Sequence, residues 1–411
     1  MWSNKLRSAL PYLGSGALAS ATLYFVYNRV SRASVAYASG VPVKPFKDTH
    51  VVIVGGGYGG INLATKLKND CQLTLIDARD SFHHNMGAQR SSVERGYVEK
   101  CLIPYGPTFG DKFKQGKVVD IDVKGKTVKL ANGESVNYDE LVIATGTTGP
   151  FPSKLPVEID SKTAKDQYNR MVDLVEKAQT VVVIGGGAVG VEIAGDIKED
   201  YKDKTVTLIH PREILVNDTV SESFQTTVKN RLKYLGVETV LGERVSNMDE
   251  IRQKGFTDVT VVTDKGNRLK ADLALECTGL RVNNGAYKNG LGDKMDERGR
   301  LKVDEFLQVE GTPDVYAIGD CNNTPEVKLG MLANFHAAHV GDNLKKKHEG
   351  QALKPYKINN SGFFILSCGR SGGAAQVFGG WVFGDWLARK MKGENVFTPT
   401  QWKTMGQEMP K

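Results

Sequence analysis

Cysteines are few in this chain of 411 residues, and those present are far apart. There are five, no two closer than 30 positions, so the chain has no CxxC motif. We therefore expect neither a local zinc knuckle nor a sequence-adjacent redox dithiol, and no metal site. Scattered thiols of this kind are typical of core residues in a reducing compartment. They are Cys71, Cys101, Cys277, Cys321 and Cys368.

The central part of the chain lacks the basic charge of a nucleic-acid binder. Residues 1–47 hold six basic side chains and no acid, and residues 351–411 hold eight basic and three acidic ones. Because the formal net charge of the whole chain is +7, residues 48–350 carry −4. A nucleic-acid partner is not expected, since it would require a basic field. Basic ends suit an anionic membrane surface, a receptor or an import machine.

Residues 1–47 contain an uncharged, moderately apolar stretch, for which we predict a membrane anchor or a targeting segment. Residues 10–27 would form a helix about 27 Å long, barely enough to cross a bilayer. A signal anchor would leave the catalytic domains facing the cytosol at the mitochondrial outer membrane, a lipid droplet or the plasma membrane. A cleaved mitochondrial presequence and a secretory signal peptide are the alternatives. The Met-Gly start that myristoylation requires is absent.

Residues 50–77 contain the first of two glycine-rich patterns. An apolar strand, a GxGxxG turn, an amphipathic helix and a strand ending in Asp77 follow one another. Gly55 would permit the tight turn, Gly57 would let backbone N–H groups approach a pyrophosphate, and Gly60 would let the helix pack on the sheet. Asp77 would accept hydrogen bonds from the hydroxyls of an adenosine ribose. Further candidate contacts in this turn are Gly56, Tyr58 and Gly59.

The same pattern recurs over residues 180–210, and two such units predict two bound dinucleotides. The second strand ends in His210, where a carboxylate would repel the 2′-phosphate of NADPH. We therefore expect this site to accept NADPH as well as NADH. Glu192, in the first helical turn, is expected to point toward the nicotinamide end of the site, or else to complement the helix dipole. The glycines of this turn are Gly185, Gly187 and Gly190.

Two more apolar strands end in Thr-Gly, at Thr145–Gly146 and at Gly279, where the chain is expected to cross between domains. A further strand ends in Asp320, which could bind polyol hydroxyls. The predicted fold is α/β, with two Rossmann-like dinucleotide-binding domains facing across a cleft, the second inserted in the first. The predicted division is 1–47 (anchor), 48–155 and 281–350 (first domain), 156–280 (second domain) and 351–411 (small membrane-facing or dimerisation region).

Together these features resemble the pyridine nucleotide-disulfide oxidoreductase superfamily of flavoproteins. Within it, the strings DSFHHNMGAQRSSVE (80–94), ATGTTGPFP (144–152), RVSNMDE (244–250) and WKTM (402–405) are similar to quinone reductases related to apoptosis-inducing factor. The similarity runs from about residue 50 to residue 411. It implies FAD in the first site and NADH or NADPH in the second.

The resemblance also implies roles for individual residues. Arg90 and Val118 would be additional FAD contacts, Val118 through its backbone near the adenine. Asp320 would hold the flavin ribityl chain. Lys328 falls where such enzymes often place a cation near the flavin pyrimidine ring, although a surface lysine is an equal alternative. Glu192 and Lys328 are thus the candidate catalytic residues.

The implied activity is hydride transfer from NAD(P)H to flavin, followed by reduction of a lipid-soluble, ubiquinone-type quinone at a membrane. The quinol would trap radicals and protect against lipid peroxidation and ferroptosis. The dithiol that gives the superfamily its name is missing, since residues 85–94 read NMGAQRSSVE. A respiratory enzyme like the type-II NADH dehydrogenases and a redox-sensing interaction protein are the alternatives. His83 and His84 are candidates by position alone.

Near the C-terminus, residues 379–393 combine large apolar and aromatic side chains with basic ones that would lie on the opposite face, and so predict an interfacial helix. A helix packed on the first domain, or a homodimer contact, is the alternative. Residues 361–369 predict a buried strand. Phe397 and Trp402 are expected either to close over the flavin or to dock the tail. The basic residues of the predicted helix are Arg389, Lys390 and Lys392.

Overall fold

The computed structural model describes residues 44–411. The anchor predicted over residues 10–27 lies outside the described residues. Of the helices within residues 44–411, none has both the length and the apolar surface that a membrane crossing needs.

Strands and helices of the described part alternate along the chain. The strands are β1 (His50–Val54), β2 (Gln72–Asp77), β3 (Ser81–His83), β4 (Leu102–Pro104), β5 (Phe113–Gln115), β6 (Val118–Asp122), β7 (Thr127–Leu130), β8 (Ser135–Asn137), β9 (Glu140–Ile143), β10 (Thr147–Thr148), β11 (Thr180–Ile184), β12 (Thr205–His210), β13 (Val237–Leu241), β14 (Thr257–Val262), β15 (Arg268–Glu276), β16 (Arg281–Val282), β17 (Val315–Ala317), β18 (Phe364–Ser367), β19 (Gly373–Gln376) and β20 (Val382–Phe383). The α-helices are α1 (Tyr58–Leu67), α2 (Ala88–Ser91), α3 (Val98–Cys101), α4 (Gly106–Phe109), α5 (Ser161–Lys177), α6 (Ala188–Asp200), α7 (Glu222–Leu235), α8 (Met248–Gln253), α9 (Gly330–His348), α10 (Asp385–Ala388) and α11 (Thr398–Thr404).

The first sheet is parallel, with the strand order β17-β9-β1-β2-β5. Its central strand β1 is almost entirely apolar and has no exposed side chain, as expected of a parallel strand covered on both faces. Strand β17 completes this sheet, although it follows the whole second sheet in the sequence. The second sheet is therefore formed by a stretch of chain that interrupts the first.

The second sheet has the order β13-β12-β11-β15-β14, in which only the edge strand β14 runs antiparallel. The two units are joined by the short antiparallel pair β10 and β16, where Thr147 faces Val282. The predicted α/β fold with two parallel-sheet nucleotide units is confirmed. The exact domain boundaries stay predictions.

The C-terminal region forms a small antiparallel sheet, β18-β19-β20, on the second unit. Its residues Phe364 and Leu366 share a hydrophobic core with side chains of α6 and α7, which confirms the strand predicted within residues 361–369. The single interfacial helix predicted over residues 379–393 is wrong. The segment begins with a turn that has positive φ angles at Gly379 (76°) and Gly380 (81°), continues as β20, and becomes helical only over α10 and the π-helical turn that follows it.

Candidate functional site

The first glycine turn forms a tight link between β1 and α1. Gly55 has φ 106°, and a Cβ there would lie 2.5 Å from the carbonyl oxygen of Ala144, so only glycine fits. At Gly60 a Cβ would collide with the carbonyl oxygen of Gly55. At Gly57 it would meet nothing within 4 Å. The turn is thus closed toward the sheet and open on the side where a pyrophosphate would approach the helix N-terminus.

Asp77 lies at the end of β2 and is nearly buried. One of its carboxylate oxygens accepts the backbone N–H of Gly56 (2.6 Å) and the other accepts that of Arg79 (2.9 Å). A cavity of about 580 Å³ opens just beyond, lined by Ala78, Lys117 and other residues. Val118, expected near an adenine, begins the neighbouring strand β6. The cavity and the acid together suit an adenosine group.

The edge of the first sheet that faces the second unit carries further polar groups. The hydroxyl of Thr145 is buried and has no partner within the protein, and Gly146 has φ 62°. The Asp320 carboxylate accepts a hydrogen bond from the hydroxyl of Thr147 (3.0 Å). A buried, unpartnered hydroxyl costs free energy unless a ligand pairs with it. These residues therefore fit the dinucleotide that the glycine turn predicts.

The second glycine turn repeats the first. Gly185 has φ 116°, and a Cβ there would lie 2.6 Å from the carbonyl oxygen of Cys277. At Gly190 a Cβ would collide with the carbonyl oxygen of Gly185, whereas at Gly187 it would meet nothing within 4 Å. Gly279 has φ 74° and equally open surroundings. This turn therefore offers a second cradle for a dinucleotide.

His210 occupies the position in the second cradle that Asp77 occupies in the first. Its Nδ1 accepts the backbone N–H of Gly186 (3.0 Å), and its buried Nε2 has no partner. Burial, and to a smaller extent the charge of Arg212, lowers the pKa of His210. The ring is therefore neutral at pH 7. His210 therefore adds no negative charge at the end of β12. This neutral end is consistent with the expectation that the site accepts NADPH as well as NADH.

Glu192 is buried at the junction of the two units and the C-terminal tail. Its carboxylate forms an ion pair with Lys392 (2.5 Å) and accepts hydrogen bonds from the backbone and the hydroxyl of Ser367. The expectation that Lys392 lies on a basic helix face is wrong, because its ammonium group is buried against Glu192. No local pattern could reveal this pair, since 200 positions separate its members.

The first turns of α1 and α6 are both tied to the C-terminal tail, α6 through Lys392 and α1 through His84. The pKa of Tyr58 is raised, chiefly by burial and to a small extent by the negative charge of Glu192. The Tyr58 hydroxyl also lies 3.0 Å from Nδ1 of His84, whose Nε2 lies 2.7 Å from the carbonyl oxygen of Val396. Because a carbonyl only accepts, Nε2 carries the proton and Nδ1 accepts from Tyr58. Burial lowers the pKa of His84 to about 4, so this ring packs as a neutral group.

Arg90 is held largely by protein groups, with its buried Nε left without a partner, and the FAD contact expected of it stays a prediction. Its guanidinium donates to the carbonyl oxygens of Gly393 (2.8 Å) and Glu394 (3.3 Å), and lies 3.6 Å from the Asp196 carboxylate. Burial raises the pKa of Asp196 to about 6. Arg90 therefore joins the first unit, the second unit and the tail.

Lys328 and Trp402 are likewise placed by protein contacts. The Lys328 ammonium donates to oxygens of Asn322 and Thr324, at 2.9 to 3.2 Å, in the loop that follows Asp320. Burial lowers its pKa. The Trp402 indole donates to a backbone carbonyl (2.8 Å) and packs in the core of the first unit, so it docks the tail. His83 is buried against the hydroxyl of Tyr168 (3.2 Å).

Comparisons with known proteins agree with this geometry. The family model described as pyridine nucleotide-disulphide oxidoreductase matches residues 49–339. The chain is 41% identical to ferroptosis suppressor protein 1 of Mus musculus, over 88% of this chain and 97% of that protein. It is 30% identical to an FAD-dependent oxidoreductase of Flammulina velutipes, over 73% of this chain and 94% of that protein.

Among solved structures, the fold is similar to the sulfide:quinone oxidoreductase of Aquifex aeolicus. The TM-score is 0.71 at 20% identity, over 88% of this chain and 93% of that one. At this identity the likeness shows a shared fold.

Proposed function

The chain belongs to the pyridine nucleotide-disulphide oxidoreductase family, and on that basis we propose that it is an FAD-dependent NAD(P)H:quinone oxidoreductase that works at a membrane. The proposal extends to the role named in its relative, the suppression of ferroptosis. A quinol produced in the bilayer would act there as a radical trap.

One observation carries the proposal: the chain builds the same nucleotide cradle twice, and one tail segment, residues 392–396, bridges the starts of the two helices that begin at the cradles. Lys392 pairs with Glu192 at the start of α6, and the carbonyl oxygen of Val396 accepts from His84, whose ring accepts from Tyr58 at the start of α1. Such proximity is what a direct transfer between two bound dinucleotides requires.

The first cradle would hold FAD through its glycine turn, Asp77, Thr145 and Asp320. The second would hold NADH or NADPH through its own glycine turn, His210 and Gly279. FAD, when bound, supplies the redox chemistry, because it can take a hydride from NAD(P)H and pass two electrons to a quinone. The protein's part is to bind, orient and shield the two groups.

Glu192 and Lys328 are the residues we propose to act closest to the reaction. The Glu192 carboxylate is neutralised by Lys392 and lies in the first turn of the helix that begins at the second cradle. From there we propose that it helps to orient the nicotinamide ring of NAD(P)H. Lys328 holds a positive charge beside the Asp320 turn, fixed by four oxygen acceptors. Such a fixed cation would stabilise negative charge that develops nearby.

The chain has no pair of cysteines close in sequence that could serve as a disulfide electron acceptor. All five cysteines lie in the described residues, and all of them are free. Burial raises the pKa of Cys101 to about 12, so this thiol nearest the 85–94 segment stays protonated and unreactive. An external acceptor is therefore required, and a quinone meets that need.

An aromatic ridge, formed by Phe378, Trp381, Phe383 and Trp386, supports the membrane part of the proposal. These side chains are 71%, 72%, 45% and 74% exposed. Arg389 and Lys390 follow directly and are about half exposed. Exposed tryptophans beside cations favour the interface of an anionic bilayer, so we propose a lipid surface as the partner of the ridge.

The membrane proposal is tested by flotation with vesicles that contain an anionic lipid. Replacing Trp381 and Trp386 with alanine should reduce the bound fraction severalfold, whereas Tyr234→Ala, at an exposed aromatic outside the ridge, should leave it unchanged. A ridge variant that binds normally but changes from dimer to monomer would assign the ridge to a homodimer instead. A chain lacking residues 1–40 measures separately what the predicted anchor contributes.

The redox proposal is tested by absorbance. The purified protein should be yellow, should bleach when NADH is added, and should recover promptly when a short-chain quinone follows. A flavin that stays bleached in the presence of quinone would favour the redox-sensing interaction protein. A preparation that stays colourless after incubation with FAD would refute the proposal.

A further inference from the structure

A buried histidine–glutamate pair lies directly beneath the turn that carries Asp320. His336, on α9, is 2% exposed, and the side chain of Glu326 is 1% exposed. His336 Nε2 lies 2.8 Å from one carboxylate oxygen of Glu326. No step of the proposed reaction uses this pair, and a charge buried so deeply is costly unless its partners are well placed.

The hydrogen bonds fix the tautomer of His336. The backbone N–H of Gly319 donates to His336 Nδ1 at 3.0 Å, so Nδ1 is an acceptor and carries no proton. Nε2 must then carry the proton and donate it to Glu326. Burial lowers the pKa of His336, which agrees with a neutral ring.

The second carboxylate oxygen of Glu326 belongs to the C-terminal region. It accepts the hydroxyl of Tyr356 (3.1 Å) and the backbone N–H of Asn359 (2.6 Å). These two donors lie on the irregular segment that leads from α9 to β18. One chain of hydrogen bonds therefore runs from that segment through Glu326 and His336 to Gly319.

Gly319 has φ 75° and immediately precedes Asp320. The orientation of this turn decides where the Asp320 carboxylate points. The same loop continues to Asn322, whose side-chain amide donates to the carbonyl oxygen of Ala317. The backbone and side-chain oxygens of Asn322 accept hydrogen bonds from the Lys328 ammonium. A small rotation at Gly319 would therefore displace both Asp320 and the Lys328 cation.

We propose that His336 and Glu326 are positioning residues, which hold the Gly319–Asp320 turn in the orientation that binds FAD and tie it to the C-terminal segment. The inference rests on the proposed function only for the identity of the ligand at Asp320. Glu326 selects the Nε2–H tautomer of His336, and that tautomer alone leaves an acceptor for Gly319.

The substitution Glu326→Gln tests this with almost no change of shape. If the new amide donates to His336, the ring must move its proton to Nδ1, which then faces the N–H of Gly319. If the amide oxygen faces His336 instead, the N–H of Asn359 loses its acceptor. Since either arrangement leaves a buried N–H unpaired, we expect the Kd for FAD to rise about tenfold. The matched control Tyr356→Phe removes one donor and keeps the tautomer, so its Kd should stay within about threefold.

The tautomer itself is measured by ¹⁵N NMR of histidine-labelled holoprotein, with His336 assigned from a His336→Gln variant. We expect the wild-type ring to be protonated at Nε2, and the Glu326→Gln ring at Nδ1 if the new amide donates to it or at Nε2 if the amide oxygen faces it. A wild-type ring protonated at Nδ1 would overturn the proposal even if the variant failed to fold. So would a wild-type Kd for FAD in Glu326→Gln, whichever tautomer its ring adopts. Failure of quinone reduction with FAD bound would count against the proposed function and leave this inference standing.

Discussion

The two nucleotide cradles share a backbone arrangement and differ in the side chain that ends the second strand. In each cradle, the backbone N–H of the first glycine donates to the carbonyl oxygen of the last apolar residue of the second strand. The bonds from Gly55 to Ile76 and from Gly185 to Ile209 are both 2.8 Å long. In each, the N–H of the next glycine donates to the residue that ends that strand. That residue is Asp77 in one cradle and His210 in the other. The backbone accordingly creates a site for any dinucleotide, and the strand-end side chain sets its charge.

A second difference lies two positions after the last glycine. Asn62 of the first cradle is neutral and hydrogen-bonds to Asn334 on α9 (2.9 Å). Glu192 of the second cradle is an anion paired with Lys392 of the tail. Both side chains bind the element that covers their helix, but only the second contact is between charges. The second cradle therefore depends on the tail in a way that the first does not.

The largest effect is expected from breaking that ion pair. Lys392→Met leaves the Glu192 carboxylate buried without its cation, which should lower the free energy of unfolding by about 3 kcal/mol. Urea unfolding of the holoprotein measures the loss. Lys390→Met is the control, because its partner Glu394 is exposed, and should cost less than about 1 kcal/mol. Equal losses of unfolding free energy in the two variants would show that the buried pair stabilises the fold no more than the exposed one.

Replacing the last glycine of either turn with alanine should weaken nucleotide binding at that cradle and leave the other cradle unaffected. A Cβ at Gly60 or Gly190 collides with backbone, and relief of such overpacking costs about 2 kcal/mol. Gly60→Ala should therefore bind FAD some thirtyfold more weakly, which the flavin content of the purified protein measures. Gly190→Ala should stay yellow but need far more NADH to bleach. Gly106→Ala, where a Cβ meets nothing within 4 Å, should match wild type. Loss of FAD in the Gly190 variant would contradict separate sites.

Features formed by residues close together in the sequence were predicted, and contacts between residues far apart in the sequence were not. Each cradle occupies about 30 consecutive residues, so its glycines and strand ends form a local pattern. The Glu192–Lys392 pair joins positions 200 apart and leaves no such pattern. The predicted interfacial helix failed over residues 379–384, because apolar and basic residues at helical spacing outweighed Gly379 and Gly380, whose left-handed backbone is incompatible with a helix. The resemblance predicts that Arg90 contacts FAD, but no sequence pattern predicts its bonds to tail carbonyls 303 and 304 positions away.

A pH dependence should arise beside the first cradle. The pKa of His84 is lowered to about 4, whereas an unfolded histidine has a pKa of about 6.5. Between pH 7 and pH 5 the unfolded chain gains a proton that the folded chain excludes, so unfolding becomes easier by about 2 kcal/mol. In His84→Gln, the free energy of unfolding should fall less between pH 7 and pH 5 than it does in the wild type. His348→Gln is the control of opposite sign, because its raised pKa stabilises the fold at low pH and that stability is lost as pH rises. Unchanged acid sensitivity in His84→Gln would contradict a neutral buried ring.

The smallest effect, and the most direct test of the comparison, is to give the second cradle the acid of the first. His210→Asp keeps an acceptor for the Gly186 N–H but adds a negative charge where the 2′-phosphate of NADPH would lie. The KM for NADPH should rise about tenfold relative to that for NADH, because one like-charge contact near the surface is worth about 1.4 kcal/mol. His210→Asn is the control, since it keeps the acceptor without the charge, and should leave the ratio of the two KM values nearly unchanged. If Asp and Asn shift that ratio equally, then the strand-end side chain acts through its shape, and charge is not what distinguishes the two cradles.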